Sequence, residues 1–470
     1  MSEQFDPVEV LRAVLRQDLS SFIQRVFVTV DPGAVYLHNW HIDAIAYQLE
    51  RIASGEINRL IITMPPRSMK SIAASVAFPA WLLGHDPSLN IVAVSYGEGL
   101  AEKLALDTQR VLEAVWYRHT FPATRIASDK RSRWDFGTTK KGGRYTATVG
   151  GTLTGRGGDV LIVDDPHKPE DVTSDVKRQK VLDWYGSTLL SRLNDPVNSA
   201  IIVIQQRVHE DDLAGHLIEQ GGWEHLDLQA IAEEPVDIEL GWKGRVHRPI
   251  GHLLHEARLP MKVLDGYRQE AGSYVFAAQY QQRPAPLGGG LVRWEWFKSY
   301  VDQPSLKNGD KIVQSWDTAS KAEEANDWSV CSTWLVRNGN AWLLDVYRAK
   351  LEFPELKRRI PDLARNMGAK LILIEEAGSG VQLIQELKRE TRLNIKGVIP
   401  RDDKATRMLS VTPTIEAGRI AVPDAAPWLA DFQREITLFP NGKHDDQVDS
   451  LSQFLKWLSE PQPVIRIRQL

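Results

Sequence analysis

Four short apolar runs, at residues 60–63, 91–94, 160–163 and 201–204, alternate with stretches of helical length at 72–83, 99–115 and 176–193. Such runs, bounded by polar or turn residues, predict buried strands. Alternation of strand and helix predicts a parallel sheet covered on both faces. Two of the runs lead into residues able to handle phosphate and metal. Residues 60–63 precede a loop ending in Lys70-Ser71, and residues 160–163 end at Asp164-Asp165.

At 470 residues the chain exceeds one ordinary core, so two domains are expected. Residues 209 to about 300 are less regular and richer in Gly and Pro. The strongest linker signal is Arg283-Pro284-Ala285-Pro286-Leu287-Gly288-Gly289-Gly290. The expected division is a first domain over 1–285, with an irregular subdomain at 209–285, a linker at 286–305, and a second domain over 306–470. In that second domain three successive strands are predicted at 311–316, 329–336 and 341–347. The last two are joined by Asn338-Gly339, a hairpin turn pair. Helix 355–367, strand 370–374, helix 380–391, strand 395–399 and helix 404–417 follow, and residues 448–458 close the chain with helical spacing.

The segment Met64-Pro65-Pro66-Arg67-Ser68-Met69-Lys70-Ser71 stands where a phosphate-binding loop, G-x-x-x-x-G-K-[ST], would stand. In such a loop backbone N–H groups cradle phosphates at a helix start, the lysine reaches the β- and γ-phosphates, and the hydroxyl ligates Mg²⁺. Met occupies both glycine positions. Arg67, Ser68, Met69, Lys70 and Ser71 are the candidate nucleotide contacts, with Arg67 placed to neutralise charge. Ser71 and Asp164 would hold Mg²⁺, and Asp165 would orient the attacking water. Gln205 and Gln206 end the apolar run that follows Asp165.

A second acidic set follows. Asp317 ends the first strand of the second domain, Glu375 ends the fourth, and Asp445-Asp446 precede the last helix. Three antiparallel strands followed by helix, strand and helix are the layout of a ribonuclease-H-like fold. Carboxylates gathered at one end of that sheet suit hard divalent cations, Mg²⁺ or Mn²⁺, and two-metal phosphodiester hydrolysis. Asp317, Glu375 and Asp446 are the catalytic candidates, and Asp317, Glu375, Asp445 and Asp446 the metal-ligand candidates. Glu376 should face away from Glu375 because strand side chains alternate. Asp445, Asp446 and Asp449 also fit a simple helix-capping role. Lys404 and Arg407 are placed to contact a DNA backbone, while Asp327 and Asp345 read as strand-edge residues.

Several stretches together resemble the large terminase subunit of tailed bacteriophages. They are His38-Asn39-Trp40-His41, Met64-Pro65-Pro66-Arg67 with Lys70-Ser71, Val94-Ser95-Tyr96 with Leu100-Ala101, and Gly150-Gly151-Thr152-Leu153-Thr154-Gly155-Arg156-Gly157 leading to Ile162-Val163-Asp164-Asp165-Pro166. Gln205-Gln206-Arg207-Val208-His209-Glu210-Asp211-Asp212-Leu213 and Ala278-Gln279-Tyr280-Gln281-Gln282 continue the likeness. In the second domain Ser315-Trp316-Asp317, Ile374-Glu375-Glu376 with Gly378 and Gly380, and His444-Asp445-Asp446-Gln447-Val448-Asp449-Ser450-Leu451 complete it. The family usually keeps Gly where Met69 stands.

The resemblance implies an α/β chain with an N-terminal P-loop NTPase domain on a parallel-type sheet and a C-terminal RNase-H-like nuclease domain on a mixed sheet. It implies an ATP-driven motor that threads double-stranded DNA into an empty capsid, with a built-in endonuclease; within that picture Gln205 and Gln206 would sense the γ-phosphate, and Trp40 and His41 would contact the adenine. The implied partners are the portal protein, the small terminase subunit and further copies in a ring, in the host cytoplasm of a phage or prophage. A helicase-nuclease of DNA repair would need further helicase motifs, for which residues 212–290 leave no room. A packaging component with a decayed ATP site is the other alternative, and Met69 is its support.

Composition agrees with a soluble protein, 43% hydrophobic and 25% charged. No apolar run is long enough to span a bilayer, and the N-terminus has no secretion signal. Cys331 is the single cysteine, which excludes intramolecular disulfides. The net charge of -4 does not advertise DNA binding, so basic surfaces must be local. The candidates are Lys130-Arg131-Ser132-Arg133, Lys140-Lys141 with Arg144, Lys388-Arg389 with Arg392, and Arg401 with Lys404 and Arg407.

Overall fold

A computed structural model describes residues 6–460 other than 152, 154, 285–289, 319–327 and 443, with 130 and 131 described by backbone alone. Asp327, Thr152, Thr154, most of the Pro/Gly linker signal and the tail after 460 therefore lie outside the described residues. The chain divides into two compact units, Met1–Arg268 with Ser273–Ala285, and Gln269–Gly272 with Pro286–Leu470.

The first unit is built on β1 (Arg59–Thr63), β2 (Asn90–Ser95), β3 (Ile126–Arg131), β4 (Phe136–Thr138), β5 (Gly143–Thr148), β6 (Val160–Asp164), β7 (Ala200–Gln205) and β8 (Glu224–Asp227). Their order in the sheet is β3-β4-β5-β2-β6-β7-β1-β8. From β5 to β8 every pairing is parallel, and β4 alone is reversed, pairing antiparallel with both β3 and β5. β1, β2, β6 and β7 are the four strands predicted from apolar runs, and all are buried almost throughout because helices cover both faces. One face packs Ile62, Ile91, Ile162 and Ile202 with the N-terminal helices; the other packs Ile61, Val92, Leu161 and Val203 with Trp184 and Leu217. β3–β5 and β8 escaped prediction because their residues are mixed and partly polar. The irregular segment adds a hairpin of β9 (Val236–Glu239) and β10 (Arg245–Arg248) and a small core of Ala230, Leu259, Leu264 and Phe276.

The second unit holds β11 (Lys298–Tyr300), β12 (Lys311–Asp317), β13 (Ser329–Arg337), β14 (Asn340–Ala349), β15 (Leu371–Glu375), β16 (Ile395–Val398) and β17 (Ile420–Pro423). Their order is β11-β17-β14-β13-β12-β15-β16. β12, β13 and β14 are antiparallel, while β15 and β16 add in parallel beside β12. Asn338 and Gly339 take φ of 49° and 74°, the left-handed pair that a two-residue hairpin turn requires. Residues 286–305 are not wholly a linker. Leu291, Val292 and Phe297 are buried in the second core and β11 joins the sheet through β17, because this stretch is too apolar to stay solvated.

Candidate active sites

In the first unit, β1 and β6 are separated by β7, so Gln205 at the end of β7 stands between the loop after Thr63 and the carboxylates after Val163. The loop turns sharply, with Arg67 at φ 60° and Met69 at φ 68°. A side chain in that region costs roughly 1–2 kcal/mol, which explains why glycine suits the position that Met69 fills. The Met69 side chain packs against the apolar core, partly offsetting that cost.

The predicted residues come together here. Lys70 Nζ lies 2.8 Å from Asp165 Oδ2. The Ser71 hydroxyl donates to Asp164 Oδ1 at 3.0 Å. The Gln206 N–H donates to Asp165 Oδ1 at 3.0 Å. Burial, and then the neighbouring charge of Asp165, push the Asp164 carboxyl up to about 6. Arg67 is exposed at the loop tip. Ser68 is buried, and its backbone is hydrogen-bonded to His41. His41 is held down to about 3, first by burial and then by His255, so it is a neutral structural brace behind the loop. Trp40 lies under the Arg248 guanidinium, 5.3 Å from its ring centre.

Two residues that the sequence reading passed over complete the arrangement. Ser75 donates to the second oxygen of Asp164 at 2.7 Å. Arg144, expected on a basic surface, is instead buried, and it donates to Thr146 Oγ1 at 2.6 Å and to the Ser75 carbonyl at 3.3 Å. Desolvation brings its guanidinium down to about 10. The spacing of Ser71 and Ser75, one helical turn, was the available signal. The stretch Ile72–Ala77 is a π-helical turn, a distortion frequent at functional sites. Gln205 is buried with neither side-chain amide atom bonded, and the Gln206 Oε1 is likewise unpaired. The following loop is locked: Arg207 forks onto Asp212 at 2.9 and 3.0 Å, and the Leu213 N–H donates to His167 Nε2 at 2.9 Å.

In the second unit the last helix, Asp446–Ser459, is pinned to β12: Ser450 Oγ donates to the Ser315 carbonyl at 2.9 Å, and Gln453 Nε2 donates to Ser315 Oγ at 2.9 Å. This sets the start of the helix against Asp317. The Asp317 carboxyl is pushed well above the ordinary range by burial, and then by the charges of Asp449, Glu375 and Asp446 in that order. Arg407 bridges two of these, at 3.1 Å from Glu375 Oε2 and 2.6 Å from Asp449 Oδ1. Lys404 bridges Asp445 and Asp449, each at 2.7 Å. Asp446 leans toward Arg348, 3.6 Å away, which also faces Glu435. Asp449, which fits a helix cap as well as a ligand in the sequence, is thus a buried member of the cluster, its side chain 4% exposed. Glu376 lies against Gly397 on β16, away from Arg407. Asp345 is turned toward Trp428, apart from the cluster.

The all-oxygen donor set suits a hard divalent cation, and the raised Asp317 carboxyl is a position where added positive charge would relieve repulsion. Among the described residues no three His, Cys, Asp or Glu side chains are arranged to grip one ion; Lys404 and Arg407 supply the positive charge here.

Residues 314–457 match the family model described as the terminase RNaseH-like domain. The match lies wholly within the second unit. The large terminase of the thermophilic bacteriophage D6E shares the fold of the chain, with a TM-score of 0.51 at 11% identity over 87% of this chain and 98% of that one. The HK97 bacteriophage large terminase matches at a TM-score of 0.35 and 11% identity, over 94% and 99%. The large terminase nuclease of thermophilic phage G20c with bound magnesium matches at 0.29 and 16%, over 37% and 98%. No curated protein matches the chain. The α/β architecture expected from the sequence, a parallel-type sheet in the first unit and a mixed RNase H-like sheet in the second, is the observed one.

Proposed function

We propose that the chain is a large terminase subunit, an ATPase and metal-dependent endonuclease that packages double-stranded DNA into a procapsid and cuts the concatemer. The observation that supports this reading is the joint presence of the Lys70–Asp165 and Ser71–Asp164 pairs in one unit and an Asp317, Glu375, Asp449 cluster within the stretch that matches the terminase RNaseH-like domain.

At the first site ATP with Mg²⁺ is the substrate. Lys70 binds the terminal phosphates, Ser71 and Asp164 hold the metal, and Asp165 orients water for in-line attack. Gln206, tied to Asp165 through its N–H, carries the phosphate state into the loop that Arg207 and Asp212 lock. At the second, Asp317, Glu375, Asp449, Asp446 and Asp445 hold Mg²⁺ or Mn²⁺, which supplies the charge that stabilises a phosphodiester transition state. Arg407 and Lys404 steady the carboxylates and yield them when cations enter.

Among the described residues no helix is long and apolar enough to cross a membrane. The reading extends to a portal protein, a small terminase subunit, a homo-oligomeric ring and action in the host cytoplasm. Two assays test it on the full chain: ATP hydrolysis, lost in Lys70→Ala, and Mg²⁺- or Mn²⁺-dependent cleavage of plasmid DNA, lost in Asp317→Ala. Parent protein inactive in both would overturn it.

A further inference from the structure

Outside both sites, the second unit carries a groove of about 640 Å³ along the free edge of its sheet. Four lysines converge on it from separate segments: Lys311 at the start of β12, Lys370 just before β15, Lys388 on helix Ser379–Glu390, and Lys396 on edge strand β16. All four are exposed. Lys396 pairs with Glu460 at 2.7 Å, an open ion pair of two half-exposed side chains. No carboxylate among the described residues pairs with the other three. A lysine on an edge strand commonly guards against strand pairing. That accounts for Lys396, but not for lysines from two interior strands and a helix meeting at the same place in a chain of net charge -4.

The register explains the convergence. The Lys370 N–H donates to the Ile312 carbonyl at 2.8 Å, and Leu373 on β15 faces Lys396 on β16. Neighbouring strands lie about 4.8 Å apart, so Lys311, Lys370 and Lys396 border the groove from three adjacent strands, with Lys396 three residues further along than Lys370. The groove also includes Glu376, the residue directly after Glu375. It therefore runs from the starts of these strands to their far end, where Glu376 turns away from the carboxylate cluster. β12 is 7 residues long, so at about 3.3 Å per residue its length puts Lys311 about 20 Å from Asp317. Along a duplex that is about six base pairs.

We propose that this groove is a second DNA contact, which seats the phosphate backbone of a duplex about six base pairs from the carboxylates that cut it. The proposal rests on the reading of the chain as a DNA-cutting protein. Its contacts are to phosphate alone, so it holds DNA of any sequence and fixes the direction in which the duplex leaves the nuclease centre. Arg392, exposed just beyond the helix, extends the same positive face.

The test compares the full chain with Lys311→Gln/Lys370→Gln/Lys388→Gln, using a fluorescein-labelled 30-base-pair duplex of arbitrary sequence, EDTA to prevent cutting, and anisotropy over a range of salt. Three lost phosphate contacts lower the slope of log K against log salt by about 2.7, with affinity at moderate salt down more than tenfold. Circular dichroism and DNA-free ATP hydrolysis should match the parent. A parent that binds with both affinity and slope unchanged in the variant overturns the groove and leaves the DNA reading standing. Weaker binding with an unchanged slope also overturns it. Failure of the parent itself to bind the duplex sinks both.

Discussion

Lys70 and Asp165 form an ion pair of 2.8 Å, with side chains only 7% and 18% exposed. The lysine that should grip a triphosphate is thus held by the carboxylate that should orient the attacking water. Because the other Asp165 oxygen accepts the Gln206 N–H, the pair ties together the ends of β1, β6 and β7. On the proposed reading, a bound γ-phosphate would compete for Lys70 and free Asp165 to orient water.

Separating the two partners should give different defects. Lys70→Ala loses nucleotide affinity and hydrolysis together. Asp165→Asn retains binding of a fluorescent ATP analogue and loses hydrolysis by about 100-fold or more, in line with loss of a general base. Equal loss of binding in both would show that Asp165 only braces the lysine.

Met69→Gly tests the loop. Glycine removes the left-handed penalty at φ 68° but gives up apolar packing and adds unfolded-state freedom. The net stability change should stay within about 1 kcal/mol, and ATP turnover should rise. A thermal melt and a steady-state ATPase assay measure both, and slower turnover would argue against a phosphate-binding role for this loop.

Ser75→Ala leaves one oxygen of a buried carboxylate without its hydroxyl donor. The expected cost is about 1–3 kcal/mol of stability. Positioning of Asp164 also suffers, so more Mg²⁺ is needed for half-maximal ATP hydrolysis while ATP affinity holds. Ser75→Thr should restore the Mg²⁺ dependence; if it does not, the hydroxyl is not the operative group.

Asp317 should trade stability for function. A carboxyl raised by burial and like charge binds its proton more tightly folded than unfolded, so its contribution is present at pH below the ordinary carboxylate value and is lost as pH rises through the raised one. Metal-free Asp317→Asn should therefore melt higher than the parent at neutral pH and show less loss between acid and neutral pH. It should cut no DNA. Mg²⁺ should raise the melting temperature of the parent more than that of the variant. A lower melting temperature for Asp317→Asn at neutral pH would refute the repulsion argument.

Arg407 spans Glu375 and Asp449 with its side chain 11% exposed. Arg407→Ala removes the counter-ion from both. The metal-free chain should lose stability, Mg²⁺ should recover most of it, and cleavage should need more Mg²⁺. Calorimetry with and without Mg²⁺ distinguishes this from a simple loss of packing, which the cation would not repair.

Much of this was legible in the chain. Buried strands need near-continuous apolar runs, so β1, β2, β6, β7, β12 and β15 announced themselves, and the residues that end them were readable as candidates. The Asn338-Gly339 turn was readable because few residue pairs accept two left-handed conformations. Short strands such as β4 and β17 were not, since three or four residues are too few to set a period, and β3 was not because its residues are largely polar.

What the sequence determined by itself was which residue types end which strands, because periodicity and turn chemistry are local. Only the tertiary structure decided the partners. Asp449 joined Glu375 because Arg407 reaches both, and Arg144 left the surface because β5 sits beside β2 under the Ser75 turn. Glu376 turned away because β16 flanks it. Those outcomes depend on strand order and helix docking, which bring together residues tens to more than a hundred positions apart, and no local pattern carries that information.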